Sequence, residues 1–166
     1  MREINRNQVN YYILCVAAFA EQKNIPPVKA FNYLYTFNGI DFLIDCYDAE
    51  HTLSLNDAVE DLTQVCRNNG GTIKWSFITV PILKRKHSMA ENKIKFMMNY
   101  VTTEVILSIM EDTGLTIQEA MKIFYNSEVF DRLCDSETGL YRESGGYVYE
   151  LYKDEKKYGR LVNTEN

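Results

Sequence analysis

His51 is one of two histidines in the chain, and Cys46, Asp48 and Glu50 lie just ahead of it. Thiolate, carboxylate and imidazole are the donors a transition metal takes. The spacing matches no zinc pattern, however, and the second histidine, His87, stands apart. The simpler assignment makes His51 a hydrogen-bonding residue in a loop ahead of a helix. Asp41, Asp45, Asp48 and Glu50 form an acidic run, echoed by Asp131, Asp135 and Glu137. Oxygen-rich loops hold Ca²⁺ when they follow a pattern such as the EF-hand's loop of about 12 residues with its glycine and terminal glutamate. That pattern is absent, so the run reads as a solvated helix face or as a docking surface for a basic partner. No Ser–His–Asp arrangement, P-loop or G-x-G-x-x-G appears. Gly145-Gly146 alone is too little for phosphate binding. The expectation is a non-enzymatic protein without metal or cofactor.

Two further groups could make contacts. There are twelve tyrosines, and Tyr141, Tyr147, Tyr149, Tyr152 and Tyr158 crowd the last stretch of the chain. Tyrosine offers large area with one polar handle, which suits recognition surfaces. Tyr147 and Tyr149, two apart, cannot share a helix face, so one should be buried and the other presented. Lys84, Arg85 and Lys86 follow Trp75 and Phe77. This basic and aromatic mixture could touch nucleic acid, although three adjacent basic residues are more often simply solvated.

The elements that position these residues come in two similar sets. Residues 21–60 lie over residues 111–150 at a constant shift of 90, with eight identities in forty positions, among them Tyr35/Tyr125, Asp41/Asp131 and Ser54/Ser144. In the first set, Val9, Tyr12, Ile13, Val16 and Phe19 recur at helical spacing over about 8–22. Pro26-Pro27 opens a second helix, Ile40, Leu43 and Ile44 mark a third, and Ser54 caps a fourth after a loop over 47–53. In the second set a helix over about 94–112 ends at Gly114. Thr116 and Glu119 form a capping box, Ser127 caps a short helix, a turn covers 137–140, and Ser144 caps the last helix. Between the sets, Asn68-Asn69-Gly70-Gly71 breaks the pattern and residues 72–80, TIKWSFITV, resemble a strand.

Net charge is −5 overall: −4 over residues 1–68, +5 over 69–95 and −6 over 96–166. Acidic lobes repel phosphates and suit a basic protein partner. No apolar run is long enough for a membrane span, no secretory leader is evident, and the four cysteines form no C-x-x-C pair. These features suit a cytoplasmic protein with reduced thiols.

Ala20-Glu21, Phe42-Leu43, Tyr47, His51-Thr52, Ser54 and Asp61, and above all the pattern Tyr-x-x-x-His-Thr-x-Ser, resemble a family of short bacterial proteins classed as a domain of unknown function. The second set, with Glu119-Ala120, Tyr125-Asn126-Ser127-Glu128, Thr138-Gly139-Leu140-Tyr141, Ser144 and Tyr147-Val148-Tyr149, is similar to a related group. Members are often encoded beside a toxin similar to ADP-ribosyltransferases. The resemblance therefore implies an antitoxin-like or accessory role, with no catalytic residues to carry over.

The expected architecture is all-α. Two tandem four-helix units, residues 1–68 and 94–160, are joined by a basic, extended connector over 69–93 that forms a β-strand, with a tail over 161–166. The expected function is protein–protein interaction through Tyr47, His51, Asp61, Trp75, Phe77, Tyr141, Tyr147 and Tyr149, with another protein or by self-association through the connector strand. The alternative is a nucleic-acid-binding regulator acting through Lys84, Arg85 and Lys86.

Overall fold

The structure, a computed structural model, describes residues 5–72 and 88–159. These residues are all-helical and contain no strand. The expected strand over 72–80 lies outside them save for Thr72, as do Trp75, Phe77, Lys84, Arg85 and Lys86. Helix α1 is Arg6–Lys23, α2 Pro27–Thr36, α3 Gly39–Asp45, α4 Tyr47–Glu50 and α5 Leu55–Asn68. Helix α6 is Met89–Thr113, α7 Ile117–Tyr125, α8 Glu128–Cys134 and α9 Gly145–Tyr158. Two single 3₁₀ turns, Ser136–Thr138 and Leu140–Arg142, link α8 to α9.

Local start and stop signals set most of these bounds. Asn5 and Gln8 form a capping box on α1, and Asn24 ends it in the left-handed region at φ 52°. Pro27 occupies the first position of α2, where its missing N–H is no loss. Ser54, Ser127 and Ser144 each accept a backbone N–H from three residues on, and Thr116 does so reciprocally with Glu119. Helix α8 gains a second cap from a distance: the Glu155 carboxylate on α9 accepts the N–H groups of Glu128 and Val129 at 3.1 and 3.0 Å. Anionic acceptors suit the positive end of a helix. Replacing Glu155 by alanine should lower the unfolding free energy by about 1 kcal/mol, as loss of a cap does, read from the urea midpoint.

Two extents differ from the sequence reading. Helix α6 starts at Met89 and not near residue 94, because Ser88 and Glu91 form a capping box. Five residues assigned to the connector therefore belong to this helix. Residues 47–50, read as loop, form the single turn α4, which continues from Cys46 directly after α3. That turn gives the first half five helices where four were expected.

Helix α1 packs along α2 and α5, α6 along α7 and α9, and the two sets meet where α1 lies along α6 and α2 along α7. The pairs Arg6–Glu104 and Glu21–Lys95 show that α1 and α6 run antiparallel. One hydrophobic core results, shared by Val9, Phe19, Phe31 and Leu62 with Val105, Ile109, Phe124 and Val148. At the α2–α7 seam the Phe31 and Tyr125 rings stack at 4.5 Å and 17°. The side-chain amides of Asn32 and Asn126 exchange hydrogen bonds of 2.8 and 3.1 Å beside them. Among the described residues, no helix is long and apolar enough to cross a membrane.

Candidate functional site

Among the described residues, an unusual polar environment lies where α4 meets α1 and α5. Three tyrosines anchor it. Tyr11 and Tyr12 are consecutive on α1, and Tyr47 opens α4. Their rings meet edge to face, with centroids 5.6 Å apart for Tyr11–Tyr47 and 5.8 Å for Tyr12–Tyr47, the arrangement that opposed ring quadrupoles favour. The Tyr11 hydroxyl donates to the Glu50 main-chain oxygen at 2.8 Å and so ties α1 to the end of α4.

His51 ends the same turn. Its ring stacks on Tyr47 at 4.5 Å and 9°, and its Nδ1 lies 2.6 Å from the Tyr47 carbonyl oxygen. A carbonyl only accepts, so Nδ1 carries the proton and Nε2 is the ring nitrogen left to meet other groups. The expected local hydrogen-bonding role of His51 is thus present.

Glu50 is the anomaly. It is 6% exposed, and its Oε2 is buried without a hydrogen-bond partner. Buried carboxylates are normally paired, because desolvating a charge without compensation is expensive. Burial, and secondarily the negative charge of Asp61 on α5, raise its pKa above the ordinary 4.5. The Cys15 thiol beneath it is fully buried and is pushed up to about 12, chiefly by that burial. A thiol held in its protonated form is a poor nucleophile and a poor metal ligand. Cys66 and Cys134 are likewise raised by burial, to about 11 and about 12, and all four cysteines are free. No group of three or more His, Cys, Asp or Glu among the described residues could hold a metal ion.

The segment that carries Glu50 is one-sidedly acidic. Between Lys29 and Arg67 the sequence has seven carboxylates and no lysine or arginine. Glu50 is buried; Asp41, Asp45, Asp48, Asp57, Glu60 and Asp61 are exposed. Lys23 lies near Arg67 and Glu60, and its pKa is lowered by burial and by Arg67. Leu53 and Leu55, 43% and 38% exposed, add apolar area between α4 and α5.

Of the residues expected to meet a partner, Tyr47, His51 and Asp61 converge here. The tyrosines of the second half do not behave alike. Tyr147 is 47% exposed and Tyr149 8%, the split their spacing requires. Tyr149 donates to Asp112 at 2.8 Å, and Tyr141, 5% exposed, accepts from its neighbour Arg142 at 3.1 Å. Both rings are committed to packing against the fold, so neither is a presented contact, contrary to expectation. Tyr11 and Cys15 escaped assignment from sequence, and Glu50 figures there only as a neighbour of His51 and one member of an acidic run. The available signal was the 90-residue shift, which sets Glu50 against Leu140, a carboxylate where its counterpart is apolar.

The comparison that bears on this region is with protein families. Residues 10–69 match the family described as protein of unknown function DUF3791. The matched segment contains Tyr11, Cys15, Tyr47, Glu50, His51 and Asp61 and ends before the second half. No curated protein and no solved structure matches the chain.

Proposed function

We propose that this chain is a non-enzymatic interaction module, and that the acidic face formed by α4 and α5 docks a basic segment of a partner protein. The carrying observation is the run from Ala30 to Cys66, in which six exposed carboxylates and one buried one are unopposed by any lysine or arginine of the same run. Like charges at such density repel one another and weaken the fold. They are offset when a complementary surface arrives, and electrostatic matching also speeds association. Exposed Leu53 and Leu55 supply an apolar anchor within the acidic frame.

In this reading the chain is an internal duplication. Helices α5 and α9 span 55–68 and 145–158, and α2 and α7 start at 27 and 117, all at the 90-residue shift. Ser54 caps onto Asp57 and Ser144 onto Tyr147 at that same shift. Equivalent helices meet across the seam, α1 with α6 and α2 with α7, as the two copies of an isologous dimer do. The second unit serves as a built-in partner that covers the apolar face of the first. A toxin with a basic surface, encoded beside it in a bacterial cytoplasm, would fit the acidic face; this would make the chain antitoxin-like or accessory.

The test is selection from a random peptide library against the full chain. Recovered peptides should be enriched in arginine or lysine beside apolar residues. The variant carrying Asp57→Lys and Asp61→Lys should bind them at least tenfold more weakly, a loss of about 1.4 kcal/mol or more from inverted charge complementarity. Peptides without basic enrichment, or undiminished binding to the variant, would contradict the reading. The other reading, nucleic-acid contact through Lys84, Arg85 and Lys86, requires DNA affinity that falls steeply with salt and disappears when the three become alanine.

A further inference from the structure

We infer that Glu50 is a receptor for a single guanidinium: the partner's arginine inserts beside the Tyr47–His51 stack and pairs with the Glu50 carboxylate. This rests on the docking face proposed above and specifies its central contact.

The chemistry follows from what is missing around Glu50. A carboxylate with one oxygen buried and without a partner is destabilising for the isolated chain. The second half shows the inexpensive alternative. At the 90-residue shift, Tyr11, Cys15, Glu50 and Asp61 correspond to Val101, Val105, Leu140 and Leu151, and the first three of these are 2%, 0% and 9% exposed. The same positions can therefore be filled by ordinary aliphatic packing. The first half instead keeps an acid there, with a second acid, Asp61, near enough to raise its pKa. Two neighbouring carboxylates disfavour each other's charge until a cation sits between them.

The surroundings select guanidinium over ammonium. Tyr47 and His51 form a planar stack; His51 is exposed and Tyr47 half-buried. A planar guanidinium stacks on such rings while donating in its plane, whereas an ammonium is a strongly hydrated point charge. Asp48, Ala49 and residues 51–55, which flank Glu50 in the chain, are all exposed. The titratable groups in electrostatic contact with Glu50 are Tyr11 and Cys15 from α1 and Asp61 from α5. None of them is a lysine or arginine, so the first cation at this spot comes from outside this cluster.

The experiment uses the full chain, with N-acetyl-arginine methylamide as probe, its citrulline isostere as the neutral control and the lysine analogue as the point-charge control. Binding is followed by the NMR signals of the Glu50 carboxyl carbon and the backbone of residues 47–51. The arginine probe should shift these signals and lower the Glu50 pKa towards the ordinary carboxylate range. The citrulline probe should do neither, and the lysine probe should bind more weakly than arginine. Glu50→Gln should weaken the arginine response roughly tenfold or more, since it removes a charge-assisted pair. Because Glu50→Gln and Glu50→Leu remove an unpaired buried charge, both should also raise the melting temperature, so loss of binding cannot be misread as unfolding. The inference is overturned if arginine shifts only exposed carboxylates such as Asp57, if citrulline acts equally, or if Glu50→Gln lowers the melting temperature. A probe response that is absent while basic peptides still bind the acidic face removes this inference and leaves the docking face standing. Peptide binding that ignores Asp57→Lys with Asp61→Lys removes the docking face itself.

Discussion

Truncating Phe31 to alanine should lower the unfolding free energy by about 3–5 kcal/mol, the usual cost of emptying a large aromatic site in a core. Phe31 is fully buried. Its ring stacks on Tyr125 of the second half at 4.5 Å and also meets Tyr35 at 5.8 Å. The truncation therefore removes packing from both sides of the seam, and the cavity opens where neither half can collapse without moving the other. A small domain has only about 5–15 kcal/mol in total, so the loss is a large share of it. Urea unfolding followed by far-ultraviolet circular dichroism should show a lower midpoint, an unchanged slope and one transition. Two separated transitions, with only one displaced, would mean that the halves are independent bodies.

Gly145 and Gly146 should respond in opposite ways to alanine. A Cβ on Gly145 would land inside the Glu104 side chain, against its Cβ and Cγ, while one on Gly146 meets nothing within 4 Å. Gly145 opens α9 where that helix presses on α6, and Glu104 is held in place there by its ion pair with Arg6. Gly145→Ala should therefore destabilise by about 1–3 kcal/mol, as overpacking does. Gly146→Ala, at an open helical position, should stabilise by about 0.5–1 kcal/mol through the entropy removed from the unfolded chain. Thermal melts of the two single variants check both signs.

That pair of glycines illustrates what sequence reading can reach. As a motif, Gly145-Gly146 carries no message, because its meaning lies in a contact 41 residues away in the chain. Start and stop signals, by contrast, are local physics. Ser54, Thr116 with Glu119, Ser127, Ser144 and Gly114 were legible because a cap is satisfied by residues within one turn. The Ser88–Glu91 box obeys the same rule. It lies outside the segments that the 90-residue shift aligns, in a stretch of α6 that extends beyond the length of α1. The all-helical class followed from apolar periodicity, and the opposite fates of Tyr147 and Tyr149 followed from their spacing.

The candidate site was legible only in part. Tyr47, His51 and Asp61 were singled out by type and pattern. Glu50 was not, since a carboxylate within an acidic run looks like solvated surface. Its burial is decided by the turn at 47–50 swinging back on α1, which the Tyr11 hydroxyl secures from 39 residues away. Tyr141 failed as a surface candidate for a related reason: the 3₁₀ turn at Leu140–Arg142 packs against α6 and takes its ring inward.

The most direct test of the docking face is hydrogen exchange on the full chain, with and without a basic peptide recovered from the random library. Slowed exchange should concentrate in α4, the following turn and the first half of α5, residues 47–61, together with Tyr11 and its neighbours on α1. Slowing confined to α9 or to the α6 extension at 89–100, with residues 47–61 unchanged, would contradict the account.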